Sequence, residues 1–126
     1  MTGRQVMGVA AVLGALGVAL GAFGAHGLRE RLGPEDLATL ETGARYQLYH
    51  ALALLGVGAW LDRLPGGKLV WAARLFVFGS VVFAGSLYLL VLTSARWLGA
   101  ITPFGGVALI GGWVLIALAA ADRRPL

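Results

Sequence analysis

The chain contains no cysteine, which removes disulfides, thiolate metal sites and cysteine nucleophiles together. Charge is scarce as well: Asp, Glu, Lys and Arg make up only 13% of its 126 residues. Four stretches hold no formal charge, from Gln5 to Ala25, Tyr46 to Leu61, Leu75 to Ala95 and Trp97 to Ala121. No carboxylate falls within them, and Ser80, Ser86 and Ser94 have no acid and histidine at a suggestive spacing. Hydrolytic chemistry therefore lacks a recognisable set of groups, and an enzyme is not expected. Two histidines with Glu30 or Glu41 would make a poor metal site, and no ligand spacing supports one. No cofactor is implied.

What the chain has instead is apolar surface. Hydrophobic residues account for 59% of it, more than a soluble domain of this length could hide. The net charge of +4 does not indicate nucleic acid, because the basic residues are scattered and most flank the apolar runs, where they set membrane orientation. The expected partner is the lipid bilayer.

About 20 helical residues cross a hydrocarbon core of ~30 Å, so three of the uncharged runs are ample and the second is short. Gly33-Pro34-Glu35-Asp36 supplies a helix start ahead of it, with proline suited to the first helical position and acids to the positive end of the dipole. A helix from Pro34 to Leu61 would be about 42 Å long, so its first part must project or bend, with Gly43 a place for the bend. The first run has features of a secretory signal, a thin basic start at Arg4 and small residues at Ala22 and Gly24, but it is too long for an ordinary signal core. It is expected to be a retained helix.

The reading is an all-α membrane protein: one domain over residues 1–126, a bundle of four transmembrane helices at about 5–27, 34–62, 68–93 and 102–121. Four crossings put both termini on the same side. That side carries Arg4, Arg63, Lys68, Arg123 and Arg124, with Arg74 one turn into the third helix, against Arg29, Arg31, Arg45 and Arg96 on the other. The positive-inside rule then places the termini in the cytoplasm. Trp60 and Trp71 fall near the cytoplasmic interface, and Phe23, Tyr46, Tyr49, Tyr88 and Trp97 near the opposite one, as an aromatic belt.

Small residues mark the packing faces. Ala10, Gly14, Gly17, Gly21 and Gly24 form a heptad seam on the first helix. Ala72, Gly79, Ser86 and Thr93 repeat it on the third, and Gly105, Gly112 and Ala119 on the fourth. In lipid, close backbone approach across such residues drives association. The seams serve the bundle's own interior, or the first of them also serves a homo-oligomer or a larger membrane complex.

Polar groups gather toward the non-cytoplasmic half: His26, Arg45, Tyr46, Gln47, Tyr49, His50, Tyr88 and Thr93, with Arg96 in a short loop and Thr102-Pro103-Phe104-Gly105-Gly106 opening the last helix. Tyr46 and His50 share a helix face, as do Arg45 and Tyr49.

Five ordered motifs carry a resemblance. Gly21-Ala-Phe-Gly-Ala-His-Gly27, Tyr46-Gln-Leu-Tyr-His50, Gly85-Ser-Leu-Tyr88, Thr102-Pro-Phe-Gly-Gly106 and Gly112-Trp113 make the chain similar to a family of small bacterial inner-membrane proteins, domain of unknown function 423. A small mitochondrial transmembrane protein looks related to it. The resemblance implies four membrane helices and brings no activity and no catalytic roles. The loop Thr93-Ser94-Ala95-Arg96 looks variable in that family, which makes Arg96 a weaker candidate than the histidines.

Two readings of the polar set stay open. One is a hydrogen-bonded lock between helix ends; the other is a polar pocket for an ion, proton or ligand. His26, at a helix end, reads as an interfacial cap. Gly105-Gly106 at a helix start could present N–H groups to an anion, or could simply allow close packing. The expected function is a structural, accessory or partner-binding membrane protein, with a small transporter or channel component, or an outer-leaflet lipid or small-ligand binder, as alternatives. Below His50 the second helix reads Ala51-Leu52-Ala53-Leu54-Leu55-Gly56, and the third helix offers only Ser80 at that depth. A pore through one monomer is therefore not expected.

Overall fold

The computed structural model describes residues 1–64 and 66–122, with the side chain of Ala25 left aside; Arg123 and Arg124, expected on the terminal side, lie outside the described residues. The described chain is all-helical. Thr2 starts the first helix through a capping box: its hydroxyl accepts from the Gln5 N–H at 3.2 Å and its own N–H donates to Gln5 Oε1 at 3.0 Å, satisfying donors that a helix start leaves orphaned. α1 (Gly3–Val18) passes through a π-helical stretch (Ala19–Gly24) into the short α2 (Ala25–Leu28). α3 spans Pro34–Arg63, α4 Gly67–Thr93 and α5 Leu98–Ala121. The runs Gly3–Leu28, Gly67–Thr93 and Leu98–Ala121 are long and apolar enough to cross a membrane.

α3 begins as its sequence dictates, with Pro34 in the first turn and Glu35 and Asp36 beside the N-terminal dipole. It is one unbroken helix. Gly43 does not interrupt it but makes room for a neighbour, since a Cβ there would lie 2.8 Å from Cε1 of Tyr88. α4 stops at Ser94, whose left-handed backbone (φ 58°) turns its N–H back to the Leu90 carbonyl at 2.8 Å, a common helix ending.

α5 starts four residues earlier than the sequence suggests. Three bonds to the residue three back, from Leu98, Gly99 and Ala100 to Ala95, Arg96 and Trp97, wind a tight first turn, so Pro103 lies inside the helix rather than at its start. Its missing N–H costs one helical bond.

The helices meet along their small residues. α1 and the π-helical stretch that continues it run antiparallel to α3 in register, with Gly24 facing Leu40, Gly21 facing Ala44, Gly17 facing Leu48, Gly14 facing Ala51 and Gly3 facing Gly58. Between α4 and α5 the backbones themselves touch. A Cβ on Gly79 would sit 2.9 Å from the Gly105 carbonyl, one on Gly105 would strike the Phe83 backbone, and one on Gly112 would sit 2.5 Å from the Phe76 ring. Thr93, read as part of the α4 seam, is exposed and bonds its own Leu89 carbonyl. The apolar core joins Val6 and Ala10, Leu54, Val57 and Leu61, Leu69, Ala73 and Phe76, and Leu109. Outside it, large apolar side chains such as Val12, Leu52, Phe78, Leu92 and Ile110 are exposed, as a lipid-facing surface requires.

Replacing Gly105 with Val is expected to cost about 1–3 kcal/mol by overpacking against backbone. Gly85→Ala, at a position where a Cβ meets nothing within 4 Å, should be neutral or slightly stabilising. Thermal unfolding of both variants in detergent checks the contrast.

Candidate functional site: an interhelical polar network

Gln47 sits on the face of α3 turned inward and is only 5% exposed. Its amide has a donor end and an acceptor end, and each finds a different helix. Nε2 donates to the Leu13 carbonyl of α1 at 2.8 Å, and Oε1 accepts from the Tyr88 hydroxyl of α4 at 2.6 Å. Gly17 makes the first bond possible, because a Cβ there would lie 2.9 Å from Cγ of Leu48 and 3.6 Å from Cγ of Gln47 itself. Gly43 does the same for Tyr88.

One turn further along α3, His50 is equally buried. Its Nδ1 lies 2.7 Å from the Tyr46 carbonyl and its Nε2 3.0 Å from Nε1 of Trp113 on α5. An indole N–H only donates and a carbonyl only accepts. Nε2 is therefore the acceptor and Nδ1 carries the hydrogen, so both ring nitrogens are used. The ring also packs edge-on to Phe76 and Trp113, with centroids 5.1 and 5.9 Å away.

The third link joins α4 to α5. Ser86 and Thr102 hydroxyls are 2.6 Å apart. Either Thr102 donates to Ser86 while Ser86 donates to the Phe83 carbonyl at 2.9 Å, or Ser86 donates to Thr102 while Thr102 donates to the Leu98 carbonyl at 3.3 Å. Both arrangements leave no hydroxyl proton idle.

The other sequence-derived candidates lie elsewhere. Arg45, Tyr46, Tyr49 and Pro103 are exposed, and so is His26 in α2. Neither Arg45 nor His26 forms a hydrogen bond among the described residues. The Tyr46 ring packs against Tyr49 and Phe83, at 5.6 and 5.1 Å, and only its carbonyl enters the network. Gly105 is buried and Gly106 half-buried against Phe83. Both lie beyond the first turn of α5, where backbone N–H groups are spent on the helix, so they present no anion cradle. Among the described residues no three His, Asp or Glu side chains are grouped to hold a metal ion.

Sequence reasoning missed Trp113 and Ser86 as partners. The signal for Trp113 was available: an indole N–H in the middle of a long apolar run needs an acceptor. Ser86 read as a small packing residue, and nothing in its local pattern distinguishes the two roles.

A family model described as "Protein of unknown function (DUF423)" matches residues 20–106, the span that contains most of this network. The chain belongs to the DUF423 family. Among its relatives, the UPF0382 inner membrane protein YgdD of Escherichia coli K12 is 39% identical over 95% of this chain and 92% of its own length. The UPF0382 membrane protein YwdK of Bacillus subtilis is 47% identical over 90% and 97%, and a UPF0382 membrane protein of Staphylococcus epidermidis is 45% identical over 90% and 95%. No solved structure matches. DUF423 membership, with relatives named as inner membrane proteins, makes this a small integral membrane protein of a family without an assigned activity.

A double-mutant cycle between His50→Ala and Trp113→Phe, which keeps an aromatic ring but removes the N–H, should yield a coupling of roughly 0.6–1.7 kcal/mol in detergent unfolding. Strict additivity would refute the link.

Proposed function

We propose that the chain crosses the inner membrane four times and that its interior polar groups serve as an interhelical lock, making it a structural or accessory membrane protein rather than an enzyme. Support for the fourth crossing comes from α3. It carries charge in its first turns, yet it packs lengthwise on α1 and also against α4, and its outer face presents Tyr46, Tyr49, Leu52 and Leu55. A helix so placed shares the depth of its neighbours. The beginning of α1 lies at the end of α3, by the Gly3–Gly58 contact, and the beginning of α4 lies at the end of α5, by a Lys68–Asp122 salt bridge of 3.0 Å. Both termini then share one side. Arg4, Arg63, Lys68 and Arg74 on that side favour the cytoplasm.

The observation that carries the lock is that Gln47, His50, Tyr88, Ser86, Thr102 and Trp113 spend their hydrogen bonds on one another and on backbone. A transport or catalytic site needs groups free to meet a substrate. Partners in this reading are the bilayer and other membrane proteins, including further copies of the chain.

The absence of native cysteine makes topology directly measurable. Single-cysteine variants at Gly33 and Arg96 should react with an impermeant maleimide in intact spheroplasts, and those at Thr2 and Gly66 only after lysis. Labelling of Gly66→Cys alongside Gly33→Cys would mean that α3 does not cross. Function is tested by reconstitution: vesicles holding the protein should show no proton or potassium flux above protein-free lipid. A flux abolished by His50→Ala would replace the lock with a conduction role.

A further inference from the structure

A groove of about 700 Å³ runs between α1 and α4, lined by Gly8, Val9, Val12 and Leu13 from the first and Val77 and Val81 from the second. Its size falls within the ~300–1,000 Å³ typical of ligand pockets. A Cβ on Gly8 would meet nothing within 4 Å, so among the described residues no side chain packs onto that position. Met1 and Gln5 complete its lining at the end where α1 begins.

Arg74 stands at the same end. It precedes Val77 and Val81 on one stripe of α4, three and seven residues before them, and it is exposed. Its guanidinium carbon lies 5.0 Å from the centre of the Trp71 ring. Among the described residues it makes no ion pair, the one salt bridge there being Lys68–Asp122. α4 is 27 residues long, or about 40 Å, and so exceeds the ~30 Å hydrocarbon core by only ~5 Å at each end. Arg74 is about 10 Å from the start of α4, so its backbone lies inside the boundary and its side chain must reach outward to the head-group layer. An arginine stacked on an aromatic face keeps the edges of its N–H fork available. The anions in that layer are lipid phosphates.

We propose that the α1–α4 groove with Arg74 at its mouth seats an anionic phospholipid, one acyl chain lying along Gly8, Val12 and Val81 and the phosphate held by the Arg74 guanidinium. Trp71 is the positioning residue, holding the guanidinium at head-group height. Charge complementarity selects this occupant: a cation without an ion-pair partner among the described residues, set at the end of an apolar channel, matches the order of charge and chain in a phospholipid. The site rests on the membrane placement of α4 and not on the interhelical lock, so the two ideas fail separately.

The test is thermal unfolding of the full chain in detergent with added palmitoyl-oleoyl phosphatidylglycerol, phosphatidylcholine of the same chains, or glycerol phosphate without chains. Phosphatidylglycerol should raise Tm by about 3 °C or more above phosphatidylcholine, and glycerol phosphate should leave it unchanged. Arg74→Gln should erase the difference and Arg74→Lys should retain part of it. Gly8→Leu should weaken the response to both lipids while preserving the lipid-free Tm. Equal responses to the two lipids, or a phosphatidylglycerol response that survives Arg74→Gln, would overturn the proposal. So would a full response to glycerol phosphate alone, or a dimer that Gly8→Leu disrupts, which would assign the groove to a second copy.

Discussion

A polar side chain buried among apolar helices has no water to fall back on. Of the buried ones among the described residues, Gln47, His50 and Ser86 find partners within the protein, while only the small Ser80 hydroxyl does not. Gln47 is where this constraint ties the most elements together. One amide reaches α1 through its donor and α4 through its acceptor, so the position of α3 between them follows from a single side chain satisfying both ends. Moving either neighbour away would leave a buried amide half-paired. Hydrophobic attraction cannot supply this positioning, because lipid tails are as apolar as the helices themselves.

The glycines and the polar groups act as one device. An interhelical hydrogen bond needs its helices within about 3 Å of donor–acceptor reach, and ordinary side chains at the contact would hold them apart. Gly17 lies beside the Gln47–Leu13 bond, Gly43 beside Tyr88, and Gly112 beside the Phe76 ring that packs on His50. Close approach allows the bonds, and the bonds fix which of several close approaches is used. α4 and α5 carry the idea furthest, with Gly79 and Gly105 bringing backbone to backbone and Ser86–Thr102 setting the register.

His50 illustrates how a pattern that looks catalytic is absorbed by structure. A histidine buried among apolar helices is a fair suspect for a proton or ligand path. Here a donor on one side and an acceptor on the other use both nitrogens and select one tautomer. The apolar stretch from Ala51 to Gly56 that follows offers nothing to hand a proton to. Arg74 tells the opposite story: exposed and stacked on the Trp71 ring, it forms no ion pair among the described residues, and there the chain faces its surroundings rather than itself.

Helix positions, membrane character and family were legible from the linear chain because they depend on local composition. Long uncharged runs, the Pro34 start with its acids and the five ordered motifs all act within a few turns. The seams were legible too, since small residues at heptad spacing define a helix face by arithmetic. Which seam meets which was not. The pairing of α1 with α3 and of α4 with α5, the choice of Gln47 over Arg45 as the inward residue, and the recruitment of Trp113 and Ser86 depend on helix rotation and register. Those are set by contacts between residues far apart in the chain. The start of α5 shows the same limit: Pro103 resembles a first-turn residue locally, and only the 3₁₀-type turn built on Ala95, Arg96 and Trp97 moves the start back to Leu98. The sequence determined what must be buried in lipid; the tertiary structure decided which polar group answers which, because a hydrogen bond requires two atoms to meet and composition specifies only one of them at a time.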